Sequence, residues 1–224
     1  GKGAKKYLPG DSRGFKLPTA RKKIQLDEYW DRRVASVLYR PFDTRYLYYV
    51  PWMVDWPRTS LMSNMLSARP NLAIATSRMT KGESFRHVQI TRGIVEAISM
   101  SPKTSNNAYF FPLFIENNDD DLLKSTDTWT LNISQKYINH VEKKTGLTYT
   151  SEGAGDHLLY FDPQALLAYI YAILHSDGYR ERYKGVLTLD YPRIPVTNSK
   201  ALFSSLVELG QNLINLQLLE TLDS

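Results

Sequence analysis

Asp127, Glu142 and Lys144 have the spacing of a metal-dependent nuclease, in which an Asp followed by Glu-x-Lys sets two carboxylates round an ion beside a lysine. Such a motif needs a strand, and Glu142 stands in a stretch of helical period where Glu-x-Lys arises readily by chance, so this reading ranks last. Gly153 and Gly155 come nearest to a nucleotide-binding loop, but without a third glycine or a preceding hydrophobic strand they read as a flexible loop. The chain carries neither a phosphate-binding Gly-x-x-x-x-Gly-Lys-Ser/Thr nor the Asn-or-Asp-Pro-Pro-aromatic motif of adenine methylases. A complete ATPase or amino-methyltransferase site is therefore excluded. His87, His140, His157 and His175 are far apart and cysteine is absent, which argues against zinc. His140 and His175 read as helix-surface or core-edge residues, and no Ser, His and acid combination stands out.

What remains is binding chemistry: basic side chains interleaved with aromatics and amides. Arg bonds a guanine edge bidentately and Asn an adenine edge, whereas Lys mostly holds phosphates. On that division the candidate DNA-binding residues are Arg58, Arg78, Lys81, Arg86, Arg92, Lys103 and Asn106. Their plain alternative is solvated surface charge. Arg40, Asp43 and Arg45 beside Pro41 instead suit an ion pair that fixes a turn, and Tyr48, Tyr49 and Trp52 read as core rather than base-stacking residues.

The charge distribution supports a polyanionic partner more than the net +5 does. Residues 1–115 hold 19 Lys and Arg against 8 Asp and Glu, a net of +11, while residues 116–224 hold 9 against 15, a net of −6. A phosphate backbone responds to local cation density, because each neutralised phosphate releases condensed counterions.

The elements that must position these residues follow from periodicity. Leu17–Leu38 reads as two short helices, the second capped by Asp27 and carrying Tyr29, Trp30, Val34 and Leu38. Pro41 breaks any helix, and the aromatic run after Arg45 reads as a strand. Arg58–Ala68 predicts a helix lying across a sheet face. Strands are predicted at Leu72–Ser77, His87–Thr91, Ala97–Met100 and Tyr109–Ile115, joined by the polar loops Arg78–Arg86 and Ser101–Asn107. Beyond an acidic stretch at Asn117–Asp121 the pattern turns helical: Ser134–Thr145, Pro163–His175, Asp177–Leu187 and Asn198–Leu219, with Asp190–Pro195 kept extended by its prolines. The fold class is α+β: a mixed, mostly antiparallel sheet with helices in the front half, then a helical C-terminal subdomain. The expected boundaries are 1–116 and 122–224. At 224 residues the chain can bury a sizeable core without disulfides. With no signal-like h-region or apolar run of spanning length it is expected to be cytoplasmic, and its start at Gly1 is expected to mark a fragment.

Tyr39-Arg40-Pro41-Phe42-Asp43-Thr44-Arg45-Tyr46-Leu47-Tyr48-Tyr49 resembles the C-terminal specificity region of single-chain type I (type ISP) restriction-modification enzymes and related adenine-specific DNA methyltransferases. Tyr7-Leu8-Pro9-Gly10-Asp11, Trp30, Asn71 to Arg78, Phe111-Pro112-Leu113-Phe114, Ala168 to Ser176 and Tyr191-Pro192-Arg193-Ile194-Pro195 are similar to the family's successive landmarks, in order, over nearly the whole chain. The resemblance implies double-stranded DNA as partner and a target-recognition role in a bacterial enzyme. It further implies that S-adenosylmethionine and the adenine-N6 methylase, with any nuclease or translocase, belong to N-terminal domains outside this chain. It assigns no base contact to a numbered residue and implies no cofactor here. The competing classes are a protein-docking module with no base contacts and, last, the nuclease.

Overall fold

The computed structural model describes residues 16–67, 69–101, 103, 106–116, 129–151 and 159–220. Helix α1 (Leu17–Gln25) begins with Pro18 in its first turn, where the missing N–H costs nothing. The second helix expected before Leu38 does not form. A four-residue 3-10 turn at Trp30–Arg33 leads straight into strand β1 (Val34–Arg40), which is antiparallel to β2 (Asp43–Tyr48). Asp27 closes a turn rather than capping a helix. Its carboxylate accepts the Tyr29 N–H at 3.2 Å and the Tyr48 hydroxyl, and it pairs with Arg33 at 3.1 Å. Tertiary pairing of a β-branched segment has overridden a helical spacing of apolar residues. Pro41 and Phe42 make the β1–β2 turn, with Phe42 at φ 61°.

Helix α2 (Thr59–Met62) runs on as a 3-10 turn only to Met65, shorter than predicted, but Leu61, Met62 and Met65 do pack against a sheet. The central sheet is formed by β3 (Ala73–Thr76), β4 (Val88–Thr91) and β6 (Tyr109–Pro112), in the order β4-β3-β6 and antiparallel throughout. Between β4 and β6, Ile94–Val95 forms β5, which pairs parallel to β1. The strand predicted at Ala97–Met100 is a turn. Glu96 draws it back by accepting the N–H groups of Ser99 (3.1 Å, to the carbonyl) and Ile98 (3.0 Å, to the carboxylate). The predicted strand Tyr109–Ile115 is broken at Leu113 into β6 and β7 (Phe114–Glu116), the latter pairing with β8 (Trp129–Leu131). The stretch Asn117–Asp121 lies outside the described residues.

Every residue of β3 and β4 is buried, because the central sheet is covered on both faces. Ala73 and Ala75 turn toward β1, β5 and Met65, whereas Ile74, Val88 and Ile90 turn toward the helices. Those helices are α3 (Gln135–Thr145), α4 (Pro163–His175), the short α5 (Asp177–Arg182) and α6 (Lys184–Leu187), and α7 (Lys200–Leu218); a two-stranded parallel pair, β9 (Thr148–Tyr149) and β10 (Tyr160–Phe161), precedes α4. Ser134, Asp162, Ser176 and Ser199 cap helices by accepting backbone N–H groups with their side-chain oxygens. Leu166, Tyr169 and Tyr171 of α4 and Phe203 of α7 are almost fully buried, and Tyr169 stacks on Phe203 at 4.7 Å. Each such side chain contributes roughly 1.5–3 kcal/mol. Residues from both sides of the expected boundary thus share one core. Among the described residues no helix is long and apolar enough to cross a membrane.

Two glycines mark where backbones meet. Gly93 lies against Ser36 of β1, and Gly210 lies against the Ala168 carbonyl of α4, so that a methyl at either would overlap a backbone oxygen. Gly210→Ala is expected to lower stability by about 1–3 kcal/mol through forced separation of α4 and α7, measured as a fall in urea midpoint with unchanged slope.

Candidate nucleic-acid interface

The register of the central sheet places the candidate residues. Thr76 of β3 is level with Val88 of β4 and Tyr109 of β6, and Ala73 with Thr91 and Pro112. Arg78, Lys81 and Arg86 in the loop after β3, together with Lys103 and Asn106 before β6, therefore share one edge of the sheet. Arg92 follows Thr91 and stands at the opposite edge. Arg58 heads α2, at φ 48°, with its guanidinium over Trp56 at 5.7 Å. Asn71, just before β3, ties the segment after α2 to the Ala73 end by donating to the Asn64 carbonyl at 3.0 Å. The geometry thus brings together five of the seven candidates and leaves Arg58 and Arg92 apart from them.

The five are not equivalent. Lys81, Arg86 and Lys103 are exposed. Arg78 is exposed but engaged, with Nε 3.2 Å from Asp190 and its guanidinium 5.6 Å from the Tyr191 ring. The Tyr191 N–H and then Arg78 hold the Asp190 carboxyl below its ordinary range, so the acid stays charged. Asn106 departs from the expectation that it reads a base. It is 2% exposed, and its amide is consumed inside the protein, accepting the Lys81 N–H at 3.2 Å and donating to Glu83 at 3.2 Å. At the other edge, Arg92 grips Glu220 at 2.6 Å and lowers its pKa.

Sequence reasoning missed that the β1–β2 turn reaches this same edge. The Glu96 N–H donates to the Leu38 carbonyl, Arg40 pairs with Glu96 at 2.7 Å, and the Ala108 N–H donates to the Ala97 carbonyl at 2.7 Å, which sets the turn beside the loop before β6. The expected turn-fixing ion pair is there between Arg45 and Asp43, at 2.9 Å, but Arg40 goes to Glu96 instead. Phe42, at 66% exposure in a left-handed conformation, forms the tip. The positive φ was hidden in the sequence because Phe, unlike Gly or Asn, does not signal it.

The helical half reaches the edge as well. Arg86 lines an open cleft of about 660 Å3 with Arg180 and Lys184, where Asp177 and Glu181 offset most of the positive charge. The extended Asp190–Val196 segment is pinned by the hydroxyls of Tyr169, donating to the Pro195 carbonyl, and Tyr179, donating to that of Arg193, each at 2.9 Å. Tyr191 in turn meets Tyr109 at 5.1 Å and Phe111 at 5.9 Å.

With this arrangement in view, comparison with known proteins decides the lineage. The Type ISP C-terminal specificity domain matches residues 3–224. The chain belongs to that family. Several solved structures share the specificity domain's fold. One is the ATP-dependent Type ISP restriction-modification enzyme LlaBIII bound to DNA, at TM-score 0.62 and 19% identity over 93% of this chain. Another is a nuclease-deletion mutant of the Type ISP enzyme LlaGI in complex with a DNA substrate mimic, at 0.56 and 23% over 85%. A third is a DrdV–DNA complex, at 0.63 and 18% over 96%. This specificity domain corresponds to only 12%, 14% and 18% of those chains. Comparison with the curated proteins gave no match.

The nuclease alternative is not supported. Glu142 lies on α3, where its carboxylate accepts the Tyr149 N–H at 2.9 Å and so holds the turn into β9. Asp127, Gly153, Gly155 and His157 lie outside the described residues, and among the described residues no three His, Cys, Asp or Glu side chains could hold a metal ion. His140 is exposed on α3 and His175 sits at the core edge, beside Tyr171 at 4.5 Å. Burial, and then the Arg180 charge, push the His175 imidazole down to about 4. A depressed folded pKa means that the unfolded chain binds the proton first, so stability is lost as pH falls from about 6.5 toward about 4. Urea midpoints across that window are expected to fall, and less steeply in His175→Gln.

Proposed function

We propose that this domain selects the DNA target of a bacterial restriction-modification enzyme that methylates adenine at N6, and that it does no chemistry itself. Family membership gives the specificity role. One observation supports DNA as what the domain reads: Arg78, Lys81, Arg86 and Lys103 converge on a single edge of the central sheet. Exposed Lys and Arg on loops of a rigid scaffold suit phosphates and guanine edges. The solved enzymes that share the fold were determined with DNA or a DNA substrate mimic, which supports the same reading. In the parent enzyme, S-adenosylmethionine and the methylase are assigned to domains outside this chain.

A second, compatible role is favoured by α7. Leu202, Leu209 and Leu216 recur at seven-residue spacing and are 49%, 57% and 58% exposed, an apolar stripe on the solvent side of a helix whose other side is core. Such a seam suits packing against another element. In the parent enzyme the occupant would be its N-terminal domains, which the helical half would brace.

Both readings are open to direct measurement. Fluorescence anisotropy of a labelled duplex titrated with the domain at several salt concentrations is expected to give a steep loss of affinity with salt. Arg86→Ala, Lys81→Ala and Lys103→Ala should each reduce the log–log slope by about 0.9 for every phosphate contact removed, while Arg92→Ala at the far edge leaves it unchanged. Salt-independent binding, or an equal effect from Arg92→Ala, would contradict the assignment. Serine at Leu202, Leu209 and Leu216 together should leave the domain folded and the duplex affinity intact. In a pull-down, the same triple variant should no longer associate with the separately produced N-terminal portion.

A further inference from the structure

Among the described residues of this edge, one tightly knit polar group is left unused by the DNA reading: Glu83, His87 and Asn106. His87 is 5% exposed and Asn106 2%, so their polar atoms must be matched within the protein. Asn106 Nδ2 donates to Glu83 Oε1 and lies 3.3 Å from His87 Nε2, which itself stands 3.0 Å from the same Glu83 oxygen. The Arg86 backbone N–H points at His87 Nδ1 at 3.3 Å. That leaves the ring proton on Nε2, aimed at the carboxylate. On its other side, Asn106 Oδ1 takes the Lys81 N–H, and the Asn106 backbone closes a bridge to Ser101. The middle of the loop after β3 is thereby fastened, through the Lys81 N–H and the Glu83 carboxylate, to Asn106 before β6, across sequence separations of 25 and 23 residues, and His87, just before β4, holds Glu83 from its other side.

We infer that Glu83, His87 and Asn106 form a lock that fixes the two basic loops in one shared geometry and so sets base selection without touching DNA. The inference rests on the DNA reading of this edge. A bidentate contact discriminates bases only when its donors are held to within roughly 0.5 Å, which loop backbones achieve only through supporting hydrogen bonds. Bonds to a carboxylate are the stronger kind for that purpose. Lys81 and Arg86 occupy positions whose own backbone N–H groups are clamped by the lock. The three residues are thus positioning residues, while Arg78, Lys81, Arg86 and Lys103 make the contacts.

Two measurements test this, and they fail separately. Hydrogen exchange of the domain should show the amides of residues 79–86 exchanging roughly tenfold faster in Asn106→Ala, although the substitution lies in the other loop. Faster exchange confined to residues 106–108 would overturn the lock. Glu83→Ala, at a half-buried site that the fold tolerates more easily, should loosen both loops, and Glu83→Gln, which keeps an acceptor oxygen, should restore wild-type exchange. Sites are then selected from a randomised duplex pool. Wild type and Glu83→Gln should recover the same base preference, whereas Glu83→Ala and Asn106→Ala lose it while keeping the affinity and salt slope for the unselected pool. Loosened loops with an intact preference would overturn the positioning role alone. A wild-type domain with neither salt-dependent binding nor preference would overturn the DNA reading and the positioning role together, leaving the exchange result to decide the lock.

Discussion

The fold depends on burying both faces of a short sheet. Strands β3 and β4 have no solvent side, so their alternating residues must satisfy two different neighbours at once: small Ala73 and Ala75 against β1 and β5, larger Ile74, Val88 and Ile90 against α4 and α7. A one-residue slip in register would exchange the two sets and leave overlap on one face and space on the other. That sensitivity fixes the register, and the register fixes which loop ends lie side by side. The basic edge is thus a consequence of core packing rather than of the loops' own preferences.

Electrostatics on that edge follow a division of labour. Cations that support the scaffold are spoken for, Arg40 by Glu96 and Arg45 by Asp43, and Arg78 is shared between Asp190 and the Tyr191 ring. Lys81, Arg86 and Lys103 face solvent, the first two at loop positions whose backbone N–H groups are anchored. Exposed ion pairs such as Arg78–Asp190 contribute little to stability, so the guanidinium is easily re-partnered. Tyr191, held by the tyrosine-pinned segment after α6, makes the helical half part of the same surface.

Legibility in the sequence tracked how local each determinant was. Helices α3, α4 and α7 announced themselves through capping Ser and Asp residues and a proline in the first turn, and β3 and β4 through short apolar runs. The second helix before Leu38 was misread because its apolar spacing fitted a helix while its pairing partners lay outside it, β2 six to fourteen residues on and β5 more than fifty. The turn at Ala97–Met100 was misread although its determinant is local: the neighbouring Glu96 bends it with its own carbonyl and carboxylate, which a Glu before an apolar run does not announce. Charge segregation marks out a basic half, but composition cannot tell Arg92 at one edge from Arg86 at the other. Nor can it show that Asn106 is inside, because an amide in a polar loop looks the same whether it faces a base or a buried carboxylate.

The parallel pairing of β1 with β5 carries a consequence for how the domain is made. Antiparallel β1 and β2 can close as a hairpin soon after they leave the ribosome, yet the cover on its inward side stays incomplete until β5 and Phe110 have been synthesised. Non-local pairing of this kind slows folding, because the loop must close before its contacts reward it. Exposed Thr44, Arg45 and Tyr46 on the outer strand β2 keep polar and charged groups along the sheet's open margin during that interval, the usual defence of a nascent chain against joining its strand to another molecule's.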